Sequence, residues 1–391
     1  MMQAGTLLIV ARMLGSAHFG AYSGIVALAV LLGTLATFGT HLVLLGETSK
    51  EPTQRNVVLP YALPTTLLVG GVLFLMYEVL ASYVMNQTGI GEAIILAIGV
   101  SELLLQPFIV LASVEHQAHG HIARSQLLTT LPLGLRLLVA FGVWVVHPQE
   151  PLAMFALGYL LVTGLAVGIA VWHLPEPWPK MGVWRLASKE ELGRASGYAM
   201  LNLTAIGPSE LDKALAVKLM PLSAVGIYAA GTRIVGALIL PVMSLLIAAL
   251  PRLFRESAGQ DTRQGHLIPW IFAVSFGYGL LSGFILWKMS WIFSWMFGNS
   301  FQGLLEVLPY LALAVPGFTM RFSAGAVLVA QAQPWFRVWF ELFGMVTLVT
   351  AAYLLVPSQP TSGMPLALAL AEWSMAILGW FQVWRSVKLL Q

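Results

Sequence analysis

Long apolar runs separated by short polar connections dominate this chain, with none of the strict alternation that marks strands. A helix that crosses a bilayer needs about 20 apolar residues. Eleven runs reach that length: 20–46, 57–82, 91–114, 126–146, 151–173, 195–219, 222–250, 267–290, 302–330, 335–356 and 363–384. Residues 1–14 form a short twelfth, and the pattern predicts that the region upstream of Met1 encodes apolar residues completing that helix. A second regularity overlies the first. KLMPLSAVGIYA, from Lys218 to Ala229, aligns without gaps on RMLGSAHFGAYS, from Arg12 to Ser23, pairing Lys218 with Arg12, Gly226 with Gly20 and Tyr228 with Tyr22. The offset is 206 residues, 226 minus 20. The first and seventh spans therefore open two halves of six, and because six is even both halves insert in the same sense, with a pseudo-two-fold axis along the membrane normal.

The fold class that follows is all-α: a polytopic membrane protein of about twelve transmembrane helices in two six-helix lobes, the first helix short. Residues 1–174 form one lobe, 195–391 the other, and 175–194 a linker. Composition agrees, with 58% hydrophobic and 9% charged residues and a mean hydropathy of +0.82. The absence of cysteine excludes disulfides, thiolate metal sites and a cysteine nucleophile. A net charge of +3 gives no reason to expect a nucleic-acid partner, because the basic residues fall where topology places them.

Alternate connections hold Lys50 and Arg55; Arg124; Lys180, Arg185, Lys189 and Arg194; Arg252, Arg255 and Arg263; Arg337; and Arg385 and Lys388. The opposite side has Arg12, Lys218 and Lys288. This bias predicts that both termini and the linker are cytoplasmic. Prolines keep the start of the linker extended, and Ser188 with Glu191 has capping-box spacing, which predicts a short helix along the cytoplasmic surface of a tether between two moving lobes. Pro107, Pro132, Pro208, Pro241, Pro309 and Pro316 lie inside spans, where each removes a helical hydrogen bond; packing kinks and hinges are both open readings.

Ionisable groups inside apolar helices are the candidate chemistry, since each costs roughly 2.5–3.5 kcal/mol at the bilayer centre. The basic ones are Arg136, Lys213, Arg233 and Arg321; the acidic ones within or near spans are Glu78, Glu102, Glu210, Asp212, Glu306, Glu341 and Glu372. One reading is a cavity whose cations grip phosphate, with Asp212, Glu210, Glu102 and Glu372 as carboxylates coupling transport to protons or sodium. The other is internal ion pairing, for example of Asp212 or Glu210 with Arg233. Glu78 and Glu306 lie near helix ends and read as interfacial. EHQAHGH, from Glu115 to His121, sits at a helix end on a glycine turn; with no thiolate and no second cluster it reads as an interfacial turn rather than a metal site. Asn86-Gln-Thr88 has glycosylation spacing. Trp172, Trp178, Trp184, Trp291, Trp295, Trp335 and Trp384 cluster near helix ends as an aromatic belt, with sugar stacking a second reading for the external pair Trp291 and Trp295. No nucleotide-binding or hydrolase motif occurs, so no cofactor and no enzyme activity are expected.

Asp212-Lys213, Gly226-Ile-Tyr228-Ala-Ala, Arg233, Pro241 and Pro251-Arg252, with Ala11-Arg12-Met-Leu14-Gly15, Phe19-Gly20 and Tyr22-Ser23, resemble the polysaccharide transporter family. Those are bacterial flippases for lipid-linked O-antigen and related repeat units, in the superfamily that includes multidrug and toxin extruders. The resemblance implies two six-helix lobes in a V around a central cavity. It implies an inner-membrane protein of polysaccharide biosynthesis that moves an undecaprenyl-pyrophosphate-linked oligosaccharide by alternating access, with lipid and the polysaccharide polymerase and assembly proteins as partners. One departure is the short first helix. Three alternatives stand beside it. A drug/cation antiporter of the sister family would have a cavity dominated by carboxylates and aromatics. A lipid II flippase tends to have two further C-terminal helices. A membrane-embedded glycan polymerase or ligase would have a large external loop.

Overall fold

The computed structural model describes residues 2–85, 90–257, 267–331 and 333–390. Among these the chain is helical throughout, with α1 (Met2–Gly33), α2 (Thr40–Lys50), α3 (Arg55–Met85), α4 (Glu92–Gly99), α5 (Gln106–Ala118), α6 (Ile122–Val146), α7 (Pro151–Trp172), α8 (Lys189–Leu219), α9 (Leu222–Ser257), α10 (Leu267–Lys288), α11 (Ser290–Phe297), α12 (Leu304–Ala312), α13 (Ala314–Ala330), α14 (Pro334–Leu355) and α15 (Gly363–Leu390). Two compact units divide it, Met1–Glu210 and Leu211–Gln391, with the boundary inside α8. The linker thus belongs to the first unit. Residues 86–89, and with them the Asn86 sequon, lie outside the described residues, as do Arg263 and the side chains of Arg255 and Lys388.

Nine helices among the described residues are long and apolar enough to cross a membrane, and ten if α12 and α13, bent by 41°, count as one span. The remaining two of the expected twelve are α8, whose 31 residues carry Glu210, Asp212, Lys213 and Lys218, and the leg of α1 before Gly15. Gly15 interrupts α1 with φ 68° and ψ 173°, a conformation open essentially only to glycine. Its repeat counterpart is Pro221, which separates α8 from α9. Burial follows the repeat as well: Arg12 and Lys218 are exposed, while Gly20, Gly226, Tyr22 and Tyr228 are buried.

Two expected spans are not continuous. The run 20–46 breaks at residues 34–39, where Thr34 and Thr40 hydroxyls bond backbone carbonyls and Phe38 and Gly39 take positive φ. The run 302–330 breaks after Ala312.

Proline explains where the second break falls, and the same device appears in both units. Pro316 has no N–H, so the Ala312 carbonyl four residues before it loses its helical donor. Gly283 of α10 packs there, where an added Cβ would stand 2.8 Å from the Ala312 oxygen. In the first unit Pro107 likewise deprives Leu103, within a π-helical stretch at Val100–Leu105, and Gly70 of α3 approaches until a Cβ would stand 2.7 Å from the Leu103 oxygen. In each unit, therefore, a glycine of the third span closes on a carbonyl freed by a proline of the fourth. Helices run uninterrupted through Pro132, Pro208, Pro241 and Pro309.

The linker is no loose tether. Pro64 leaves the Pro60 carbonyl of α3 without its helical donor, and the backbone N–H of Arg185 supplies one at 3.0 Å. Arg55, buried at the start of α3, donates Nε to Glu115 of α5 at 2.5 Å and its Nη2 to the carbonyls of Glu176 and Pro177 at 2.7 and 3.2 Å. Trp178 completes the set by donating its indole N–H to the other Glu115 oxygen at 2.7 Å. The capping box forms: Ser188 Oγ accepts from the Glu191 N–H at 3.2 Å, and Glu191 Oε2 accepts from the Ser188 N–H at 2.7 Å.

Candidate functional site

Each unit buries one network of charges that ties together its fourth, fifth and sixth spans. In the first unit Arg136, near the middle of α6, turns inward and donates Nη2 to Glu102 Oε1 at 2.9 Å and to Thr163 Oγ1 of α7 at 3.1 Å, with Gln106 Oε1 at 3.4 Å. Tyr159 of α7 donates its hydroxyl to the same Glu102 oxygen at 2.5 Å, and its ring lies under the guanidinium, 3.7 Å from centroid to carbon. Glu102 sits on the π-helical stretch, a widened turn of the kind that concentrates at functional sites. Arginine stays charged in any protein, so it tolerates this depth only because a carboxylate and neutral acceptors surround it.

In the second unit the arginine is on the fourth span and the carboxylates on the fifth and sixth. Arg321 of α13 is 1% exposed and donates Nε to Glu372 Oε2 of α15 at 2.7 Å; Glu372 is 0% exposed. Its Nη1 lies 3.7 Å from Glu341 Oε1 of α14, which also accepts from Arg337 Nε at 3.0 Å. The guanidinium stacks over Phe322 with 4.3 Å to the ring centroid. Two arginines and two glutamates thus share this enclosed site. Four of its buried polar atoms, Arg321 Nη1 and Nη2, Glu341 Oε2 and Glu372 Oε1, make no hydrogen bond among the described residues.

A separate set follows the repeat motif. Tyr228 of α9 donates its hydroxyl to Asp212 Oδ2 of α8 at 2.8 Å, and Lys213 Nζ stands 3.2 Å from Asp212 Oδ1. Tyr22, its counterpart in the first unit, packs edge-on against Phe155 with centroids 5.5 Å apart. Arg233 lies one to two turns beyond Tyr228 on α9 and is half-buried, Glu210 is buried on α8, Glu78 is partly buried and Glu306 exposed. The structure thus brings Arg136 to Glu102 and Arg321 to Glu372. It brings Asp212 to Lys213 and Tyr228. Within EHQAHGH, Glu115 receives Arg55 and Trp178, and the His119 ring nitrogen Nδ1 is 2.8 Å from the Glu115 carbonyl. No group of three histidine, aspartate or glutamate side chains among the described residues has the arrangement to hold a metal.

Sequence reasoning did not single out Tyr159, Thr163 or Gln106, nor Arg55 and Trp178 as partners of Glu115. The signal for Tyr159 and Thr163 was a pair of hydroxyls four residues apart in an otherwise apolar helix. Outside the spans, the linker ion pair is well formed: Arg185 donates two hydrogen bonds to Glu191, at 2.6 and 2.8 Å, and together with the Ser188 N–H they hold the Glu191 carboxyl down at about 2.

Two units of membrane-spanning helices, each bound internally by buried charges, define a multi-pass membrane protein. Solved structures share the fold. An inward-facing multidrug resistance MATE family transporter of the MOP superfamily superposes with a TM-score of 0.78 at 15% identity, over 100% of this chain and 94% of that one. The lipid II flippase MurJ in an inward closed conformation gives 0.75 at 10% identity, over 98% and 85%. A MOP superfamily transporter from Pyrococcus furiosus, described as having a binding pocket of reverse polarity, gives 0.67 at 15% identity, over 100% and 94%. A comparison with curated proteins returned no match. A family model described as "Polysaccharide biosynthesis protein" matches residues 1–256, and the chain belongs to that family.

Proposed function

We infer that this protein is a flippase, not an enzyme, and that it moves an undecaprenyl-pyrophosphate-linked oligosaccharide, an O-antigen or exopolysaccharide repeat unit, across the bacterial inner membrane by alternating access. The observation that carries this reading is membership of the polysaccharide biosynthesis family by a chain with four basic groups inside its spans. A pyrophosphate carries its negative charge on paired non-bridging oxygens, which suit a guanidinium fork. Arg136 and Arg233 are its proposed ligands, each within its own unit, because neither is as deeply enclosed as Lys213 or Arg321. Lys213 and Arg321 stay in their pairs in this proposal and hold helices. Glu102 and Glu372 are the proposed coupling carboxylates, with proton or sodium as the ion. A cation antiporter is less favoured, since four basic groups inside the spans suit an anionic ligand rather than a cation.

The experiment is complementation of a flippase-deficient strain with membrane levels matched by immunoblot. Arg233→Ala is expected to abolish glycan export and Arg233→Lys to impair it partially, because lysine cannot copy the fork. Wild-type export by both Arg136→Ala and Arg233→Ala would falsify the cationic site. The proposed orientation, both termini and the linker cytoplasmic, is tested separately in this cysteine-free chain. Lys189→Cys is expected to resist an impermeant thiol reagent added from the periplasm, and Gln359→Cys to react; the reverse pattern would overturn it.

A further inference from the structure

The linker carries apolar side chains that its own fold does not use. Its inward face is accounted for, since Trp178, Trp184 and Ala187 pack into the core cluster formed by α2, α3 and α5. Met181, Val183 and Leu186 remain outward, 77%, 58% and 72% exposed within six residues of one another. Around them Lys180, Lys189 and Arg194 are also exposed. A segment facing water would have no use for that apolar tip. The hydrogen bond from the Arg185 N–H to the Pro60 carbonyl ties the segment to the first third of the apolar span helix Pro52–Met85. Exposed Trp172 closes α7 just before the linker, the kind of helix-end position that tryptophan takes at membrane interfaces.

We propose that residues 180–194 form a peripheral membrane anchor, in which Met181, Val183 and Leu186 enter the acyl boundary while Lys180, Lys189 and Arg194 take the phosphates of anionic phospholipids. Arg55 is its positioning residue, holding the preceding residues Glu176 and Pro177 so that the tip points outward. The chemistry is that of interfacial segments generally, apolar insertion combined with attraction of basic side chains to an anionic leaflet. The inference rests on the membrane-spanning architecture alone and does not depend on the proposed substrate.

The test uses the full chain, which has no cysteine, in nanodiscs of phosphatidylcholine alone or of equal parts phosphatidylcholine and phosphatidylglycerol. Val183→Cys, Leu186→Cys and, as a water-facing control, Glu190→Cys are labelled with an environment-sensitive fluorophore. The expected result is blue-shifted emission at 183 and 186, quenched by lipid carrying a doxyl group near the headgroup and shielded from iodide, with the shift larger when phosphatidylglycerol is present; position 190 is quenched by iodide. Replacing Lys180, Lys189 and Arg194 together by glutamine is expected to remove the phosphatidylglycerol dependence and keep the doxyl quenching. Iodide quenching at 183 and 186 equal to that at 190 would overturn the proposal. So would shielding from both quenchers, which would mean that protein covers the tip, and so would emission indifferent to phosphatidylglycerol.

Discussion

Replacing Arg321 by alanine separates a structural charge from a substrate-gripping one. Arg321 is 1% exposed and Glu372 is 0% exposed, with 2.7 Å between Nε and Oε2. Loss of the guanidinium strands Glu372, whose other oxygen already has no hydrogen-bond partner among the described residues, and removing one member of such a buried pair costs about 3–5 kcal/mol. For a unit of this size each kcal/mol moves the melting temperature by ~2–4 °C, so Arg321→Ala is expected to melt about 6–20 °C below the parent protein. Glu372→Gln leaves an arginine that cannot shed its charge, yet one that keeps Glu341 at 3.7 Å. Arg321→Met combined with Glu372→Gln removes both charges at similar volume and is expected to regain more than half of the loss, because the desolvation that the pair had to offset disappears with it. The assay is thermal unfolding in detergent, followed by fluorescence-detected size exclusion, of the two single variants and the double. Strict additivity of the two single losses, or a melting temperature for Arg321→Ala equal to the parent's, would refute the reasoning. Export by the double variant is expected to fall even where its melting temperature recovers, since it lacks Glu372, a proposed coupling carboxylate.

Three further outcomes follow from named contacts. Arg55→Ala leaves buried Glu115 with only the Trp178 donor, a loss of about 3–5 kcal/mol, and trypsin cleavage at Lys180 and Lys189 is expected to rise by about 100-fold or more at ~1.4 kcal/mol per tenfold. Gly15→Ala forces an L side chain into φ 68° and ψ 173°, expected to cost about 1–3 kcal/mol, read as a lower melting temperature, whereas Gly71→Ala, with open space at its Cβ, is expected to be neutral or stabilising. The Glu191 carboxyl is held at about 2, below its ordinary 4.5, so its contribution to the linker helix is complete above pH 4.5 and is lost as pH falls toward 2. A spin label on Ser188→Ala/Leu186→Cys protein should loosen at higher pH than one on Leu186→Cys alone, because the Ser188 hydroxyl no longer supports the cap; identical profiles would contradict it.

Much of the fold is written locally. Runs of about 20 apolar residues demand spanning helices whatever their neighbours, the gapless match of Lys218–Ala229 on Arg12–Ser23 announces the repeat, and Ser188 with Glu191 specifies its own cap, since each is read from stretches no longer than a span without knowing which helices touch. The tertiary structure decided what the intramembrane charges do. Arg136 finds acceptors 34 and 27 positions away and Arg321 finds Glu372 at a separation of 51, pairings that no periodicity encodes because they depend on which helix faces touch. It also decided that the linker is clamped: Pro64 orphans the Pro60 carbonyl by a local rule, but only the folded chain brings the Arg185 N–H to it. The breaks at residues 34–39 and after Ala312 were hidden for the same reason, since hydropathy registers apolar length and not whether a backbone carbonyl retains its donor.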